Sequence, residues 1–165
     1  MKFAGIQHVS MRVADFQRAQ RFYVGVLGLV PHPQKSNWLG HDQGCPIHLM
    51  QRTRAGDDTD DPARHVALRV DRLEEVVARL LEHGYIPFQS DVKQSEHRQI
   101  RSTDQSLDFG IGTIFVRDPD GNLIEFVEKD RGIFGEHDPQ SLLSPCSSPL
   151  ASFDLAVGIG LDLQI

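Results

Sequence analysis

Cysteine is scarce in this chain: Cys45 and Cys146 are the only two in 165 residues. Neither belongs to a Cys-x-x-Cys pair, and two thiols cannot build a disulfide scaffold. Long apolar runs are missing as well. The longest, Leu155 to Leu161, is far shorter than a bilayer requires, so no membrane partner is expected. His8, Ser10 and Arg12 interrupt the N-terminal region, which excludes a standard secretory signal and makes the cytoplasm the default location. Basic excess is absent too. The formal net charge is −6, with 17 Lys and Arg against 23 Asp and Glu. Without a basic stripe to neutralise phosphates, a nucleic-acid partner is not expected. No Lys or Arg follows Arg131, so the acidic excess is concentrated in the last part of the chain.

What the sequence does contain is a repeat. HVSMRVADFQRAQRFYVGVLGLVP (8–31) aligns with HVALRVDRLEEVVARLLEHGYIP (65–87) across one gap. His8 then falls on His65, Arg12 on Arg69, Asp15 on Asp71, Gly28 on Gly84 and Pro31 on Pro87. Each copy opens with strand-like alternation, which puts Ile6, His8, Ser10 and Arg12 on one face and Gln7, Val9, Met11 and Val13 on the other. A helix follows in each copy. Its apolar stripe is Phe16, Ala19, Tyr23, Val26 and Leu27 in the first, and Leu73, Val76, Val77, Leu80 and Leu81 in the second. Asp15 and Asp71 are the expected N-caps, the latter forming a capping-box pattern with Glu74. Gly28 and Gly84 are the expected stops.

The likeness resumes where GCPIHLM (44–50) aligns with GNLIEFV (121–127), setting His48 opposite Glu125. Each segment reads as a strand after a turn. With shorter strands between, the pattern predicts two β-α-β-β-β modules, residues 1–50 and 65–131, joined by a polar linker, 51–64. The linker's four aspartates read as a solvated hinge. Module two carries 20 extra residues, matching the polar stretch Ser90 to Phe109, which is expected to be a substrate-facing loop or lid. Residues 132–165 form an extension without a repeat counterpart, to which no chemistry is assigned.

The repeat sets four metal-capable side chains at equivalent strand positions: His8, His48, His65 and Glu125. If two copies of a unit pack about a pseudo-twofold axis, equivalent residues meet there. Imidazole and carboxylate are the ligands expected for Zn, Ni, Mn or ferrous iron, which act as Lewis acids on an oxygenated substrate. The competing reading is that each histidine is a hydrogen-bonded core residue. Arg12 and Arg69 share the strand face of His8 and His65, and could orient an anionic substrate or pair with neighbouring carboxylates. His97, in the long loop, is the further histidine expected to approach substrate. Trp38 and Phe115 are read as core residues before pocket residues.

HVSMRVADFQRAQRFYVGVLGL, HVALRVD and DPDGNLIEFVEKD together resemble the vicinal oxygen chelate superfamily, specifically its glyoxalase-like members, over about residues 4–130. The resemblance implies an α+β fold in which two βαβββ modules form curved mixed sheets around a central metal-binding cleft. It matches His8, His65 and Glu125 to metal ligands, with Glu125 also able to act as a base. Glyoxalase I is similar through the first strand and helix, where the equivalent of Arg12 helps bind glutathione. This chain departs from it with His48 in place of a Glu and Arg52 in place of an Asn. Three histidines and one glutamate around a divalent ion leave a formal positive charge that favours anionic substrates. Extradiol dioxygenases resemble the chain in their two-His, one-Glu set, with His48 as a second-sphere acid–base group, but have a Tyr where Phe115 stands. Fosfomycin-type thiol transferases share the same set. Drug-sequestering proteins of the bleomycin-resistance type generally dispense with the ligands. The expectation is a divalent-metal lyase or isomerase acting on a small, oxygenated, anionic substrate, with a ferrous dioxygenase or a binding protein as alternatives. Homodimerisation is compatible with the paired modules.

Overall fold

A computed structural model describes residues 5–40, 45–53, 64–93, 95–128 and 131–132. Expectations for the aspartates of the linker, for Cys146 and for the extension past Gly132 lie outside the described residues. The first module runs β1 (Val9–Val13), α1 (Phe16–Gln20), a π-helical continuation over Arg21–Val26, β2 (Pro31–His32), β3 (Lys35–Leu39) and β4 (Ile47–Gln51). The second runs β5 (His65–Val70), α2 (Leu73–Glu82), β6 (Phe88–Ser90), β7 (His97–Gln99), β8 (Ile114–Arg117) and β9 (Leu123–Glu128). The two sheets have the orders β1-β4-β3-β2 and β5-β9-β8-β6-β7. In each, the first and last strands of the module pair in parallel and the rest antiparallel, giving the α+β, two-module fold.

Alternation along the strands decides which face meets the helices. In β1, Met11 and Val13 are buried while Ser10 and Arg12 are exposed. In β5, His65, Ala67 and Arg69 are exposed and the residues between are half-buried. The core gathers Val13, Leu39, Ile47 and Leu49 from the first sheet and Ile114, Val116, Ile124 and Phe126 from the second. The apolar stripes of both helices join it through Ala19, Tyr23, Leu73, Val77 and Leu80. Phe22 is fully buried although it lies off the first stripe. The cause is the π turn, in which Leu27 N donates to Phe22 O over five residues and the helical period widens.

Asp15 caps α1 as expected, accepting from Arg18 N at 3.0 Å. Asp71 does not cap α2. Arg72 occupies the cap position without a side-chain bond, and Glu128 at the end of β9 accepts from Leu73 N at 3.2 Å instead. A carboxylate brought by the neighbouring strand serves the helix start as well as a local one would.

The described residues of the stretch from Ser90 to Phe109 are not all loop. It contributes the end of β6 and the whole of β7, then turns inward at the buried Ile100 and Leu107. The Gln89 side chain, fully buried, donates through Nε2 to the carbonyls of Leu107 at 2.7 Å and Phe109 at 3.3 Å. Arg131 Nη1 donates to Leu107 O at 3.0 Å and pairs with Asp108. Extra length here makes an additional strand and a pinned loop.

The modules are joined by the turn Asp118–Asn122, which belongs to module two but bonds to module one. Tyr23 Oη donates to Asp118 Oδ2 at 2.8 Å, and Arg18 pairs with Asp120 at 2.6 Å. Ala14 N donates to Asp120 Oδ1, and Asn122 Nδ2 to Arg12 O, both at 3.0 Å. On the helix side, Arg79 of α2 donates to the carbonyls of Gly25 and Val26, which the end of the π turn leaves without helical partners. Among the described residues, no helix is long and apolar enough to cross a membrane.

Candidate functional site

The three repeat-equivalent histidines stand at or near the starts of their strands, while Glu125 lies mid-strand in β9. His8 immediately precedes β1, His65 opens β5, and His48 is the second residue of β4. They are brought together two by two. In module two, β5 and β9 run in parallel with Ala67 beside Glu125, so His65 and Glu125 lie on one face. His65 Nε2 is 3.1 Å from Glu125 Oε2. Glu125 is buried, at 8% exposure, whereas the His65 side chain keeps 29%. The edge of the His65 ring meets Phe115, with centroids 6.0 Å apart.

In module one, Ser10 lies beside His48 on β4, and Trp38 of β3 is its other neighbour. The His48 ring stacks on Trp38 at 4.3 Å and 14°. His8 meets both rings, at 4.8 Å from Trp38 and 6.1 Å from His48. The hydrogen bonds distinguish these two histidines. His8 Nδ1 donates to the Gln7 side-chain oxygen, which leaves the Nε2 lone pair available. Asn37 Nδ2 donates to His48 Nε2 at 3.1 Å and also reaches Leu49 O, so that nitrogen of His48 is engaged as an acceptor. Nothing in the sequence marked Asn37 as a partner; its signal is the β3–β4 register, which is visible only once the strands are paired.

The donor chemistry of the His65–Glu125 pair suits a divalent ion. Two donors bound about 2.0–2.2 Å from one ion at tetrahedral or octahedral angles stand roughly 2.8–3.6 Å apart, which brackets the observed separation. The pair would supply two of the ligands such an ion needs. Among the described residues, no three His, Cys, Asp or Glu side chains gather into one metal-holding group, and His8 and His48 remain on the other sheet.

Arg12 and Arg69 are exposed on the faces that carry His8 and His65, as alternation predicts. Arg52 departs from that face; its Nη2 donates to Asp120 O at 3.2 Å, within the joint between modules. His97 does not hang in a loop. It opens β7, and its ring lies 5.0 Å from that of Phe88. Phe115 is buried at 6% exposure, as a core residue would be, although outside the main core cluster, whereas Trp38 is half-buried; both lie on the faces bearing the candidate ligands. Cys45 is exposed, and partial burial of its sulfur pushes the thiol pKa up, away from nucleophilic use.

Residues 5–126 match the family model of the Glyoxalase/Bleomycin resistance protein/Dioxygenase superfamily. No curated protein sequence matches the chain. Solved structures share its fold at low identity. The oxidase ChaP-H2 superposes with a TM-score of 0.57 at 18% identity, over 78% of this chain and 95% of the other. TnmS3, an antibiotic binding protein from Streptomyces sp. CB03234, gives 0.51 at 22% identity, over 78% and 98%. The trypanothione-dependent glyoxalase I of Leishmania major gives 0.51 at 24% identity, over 76% and 87%. These neighbours differ in function, so at such identities the likeness is one of fold. On the matched length, the chain belongs to the Glyoxalase/Bleomycin resistance protein/Dioxygenase superfamily.

Proposed function

We propose that the chain is a glyoxalase-like, divalent-metal-dependent enzyme of lyase or isomerase type, acting on a small, oxygenated, anionic substrate. The observation that carries this reading is the His65–Glu125 pair, an imidazole and a buried carboxylate at 3.1 Å beside the exposed edge of β5. His8, with Nε2 available, is the corresponding group of module one. Because the pairs sit on separate sheets, we infer that the site is completed in a homodimer, module one of one copy facing module two of the other. His8, His65 and Glu125 would hold the ion, with His48 joining once Asn37 releases its nitrogen. Zn, Ni, Fe or Mn suits this ligand set.

The ion would supply Lewis acidity toward adjacent substrate oxygens. The chain's own groups do the rest. Arg12 and Arg69 attract and orient the anionic end of the substrate. Glu125 is the carboxylate positioned to take up a substrate proton and return it, with His65 holding Oε2 in place. Phe115 pairs with Glu125 across β8 and β9 and offers no hydroxyl, which disfavours the dioxygenase reading. The engaged His48 and its stack on Trp38 favour a second reading, in which the chain sequesters a ligand without turnover.

Metal analysis of protein purified without added metal tests the proposal. A stoichiometric divalent ion is expected in the wild type and is lost in Glu125→Gln and His65→Ala, both still folded by circular dichroism. Nickel or zinc with hemithioacetal turnover supports the lyase or isomerase reading, whereas iron with catechol-dependent oxygen uptake replaces it with a dioxygenase. Metal-free wild type, or full metal retention in Glu125→Gln, overturns metal dependence, and tight drug binding by metal-free protein establishes sequestration.

A further inference from the structure

Among the described residues the second sheet has one strand more than the first. Consecutive pairings put Ala67, Glu125, Phe115, Phe88 and Gln99 in one row across β5, β9, β8, β6 and β7. At about 4.8 Å per strand the row extends roughly 10 Å from Glu125 to Phe88, and about 14 Å to the outermost strand. Aromatic rings follow one another along it. Phe115 meets His65 by its edge, Phe88 stacks on Phe115 at 5.6 Å and 24°, and His97 lies on Phe88 at 5.0 Å. Phe115 is buried, but the main core cluster does not include these rings. Core residues Ile114 and Val116 alternate with Phe115 and face the opposite side, and neither Phe115 nor Phe88 packs into the core cluster. Exposure rises outward, from a buried Phe115 through a half-buried Phe88 to an exposed His97. Among the described residues the first sheet ends at β2, with no counterpart to β7.

We propose that this row is an arm subsite, and that the substrate is a flat aromatic compound whose oxygenated head lies at His65 and Glu125. The proposal rests on the functional reading above for the head and on the ring row for the arm. A planar ring system one or two rings long matches the distance from Glu125 to Phe88. Offset stacking on Phe88 and His97 adds to the area it buries. Arg69, two residues beyond Ala67 on the same face, suits an acidic group on the head. A small aliphatic substrate would leave the outer rings in water, whereas an aromatic one covers them. His97 and Phe88 are then specificity-determining residues.

Calorimetric titration with two 2-oxo acids that differ only in the arm, pyruvate and 3-(2-naphthyl)-2-oxopropanoate, tests this on the metal-loaded wild type. The naphthyl acid is expected to bind at least ~10-fold more tightly. That ratio is expected to fall to about two or three in His97→Ala, whose exposed side chain can be removed without disturbing the core, and in the milder Phe88→Leu. Equal affinities for the two acids, no binding of the naphthyl acid, or an undiminished ratio in both variants overturns the arm subsite. So does a shift in sedimentation of both variants with the ratio intact, because the row would then be covered by a second copy. A naphthyl preference that persists after chelation of the metal keeps the arm and removes metal dependence. Metal-dependent binding of both acids without preference does the reverse.

Discussion

Tyr23 shows how much one hydroxyl can be asked to do in this chain. It is fully buried, donates to Asp118 at 2.8 Å across the joint, and comes from a helical stripe that reads in the sequence as plain core. Burial, and then the charge of Asp118, push its pKa well above the ordinary tyrosine value. Below about pH 10 the phenol is protonated in both states. Above that, the unfolded chain ionises first, so this contribution to stability fades as pH climbs toward the folded-state pKa. Tyr23→Phe is expected to cost about 1–2 kcal/mol at pH 8. Its urea midpoint should fall less than that of the wild type between pH 8 and 10.5. The candidate ligands were legible as residue types because the repeat sets His8, His48, His65 and Glu125 in register. Their immediate partners were not. Asn37, Trp38 and Phe115 reach the histidines through strand pairing, which composition and spacing do not encode.

Among the elements, the helices and the outer strands of each module follow from periodicity, and Gly28 and Gly84 stop their helices at φ 74° and 79°. The π turn escaped because burying Phe22 and Tyr23 side by side breaks the 3.6-residue period on which a helical stripe is read. The cap of α2 escaped because its acceptor, Glu128, is 55 residues away in sequence. The Ser90–Phe109 stretch is polar and reads as loop, yet buried Gln89 and the half-buried Arg131 hold it in one course. Its closest approach is at Gly110, where φ is +65° and an added Cβ would stand 2.0 Å from the Ser90 carbonyl oxygen. Backbone must shift to admit that carbon. Gly110→Ala is expected to lose about 2–4 kcal/mol in denaturant titration. Amide exchange should quicken first between Ile100 and Thr113, and a loss below about 1 kcal/mol would show the loop free to adapt.

At the scale of the molecule, the repeat announced two modules but not how they hold together. DPDGN is a commonplace turn in sequence. In the structure its two aspartates and its asparagine bond to Arg18, Tyr23 and the end of β1, and Arg79 closes the other side on the π turn. Sequence patterns mark periodic faces. They do not mark which polar side chains will cross between two such faces. The joint also has a consequence for the chain as a thread. Every one of these bonds joins residues before 54 to residues after 63, so a cut between those bounds leaves all of them in place. Two separately produced pieces, 1–53 and 64–165, should therefore find each other and copurify as a two-chain protein. Asp120→Ala in the second piece should weaken that reunion. A gene cut at this point would make a two-part reporter, silent until its halves meet.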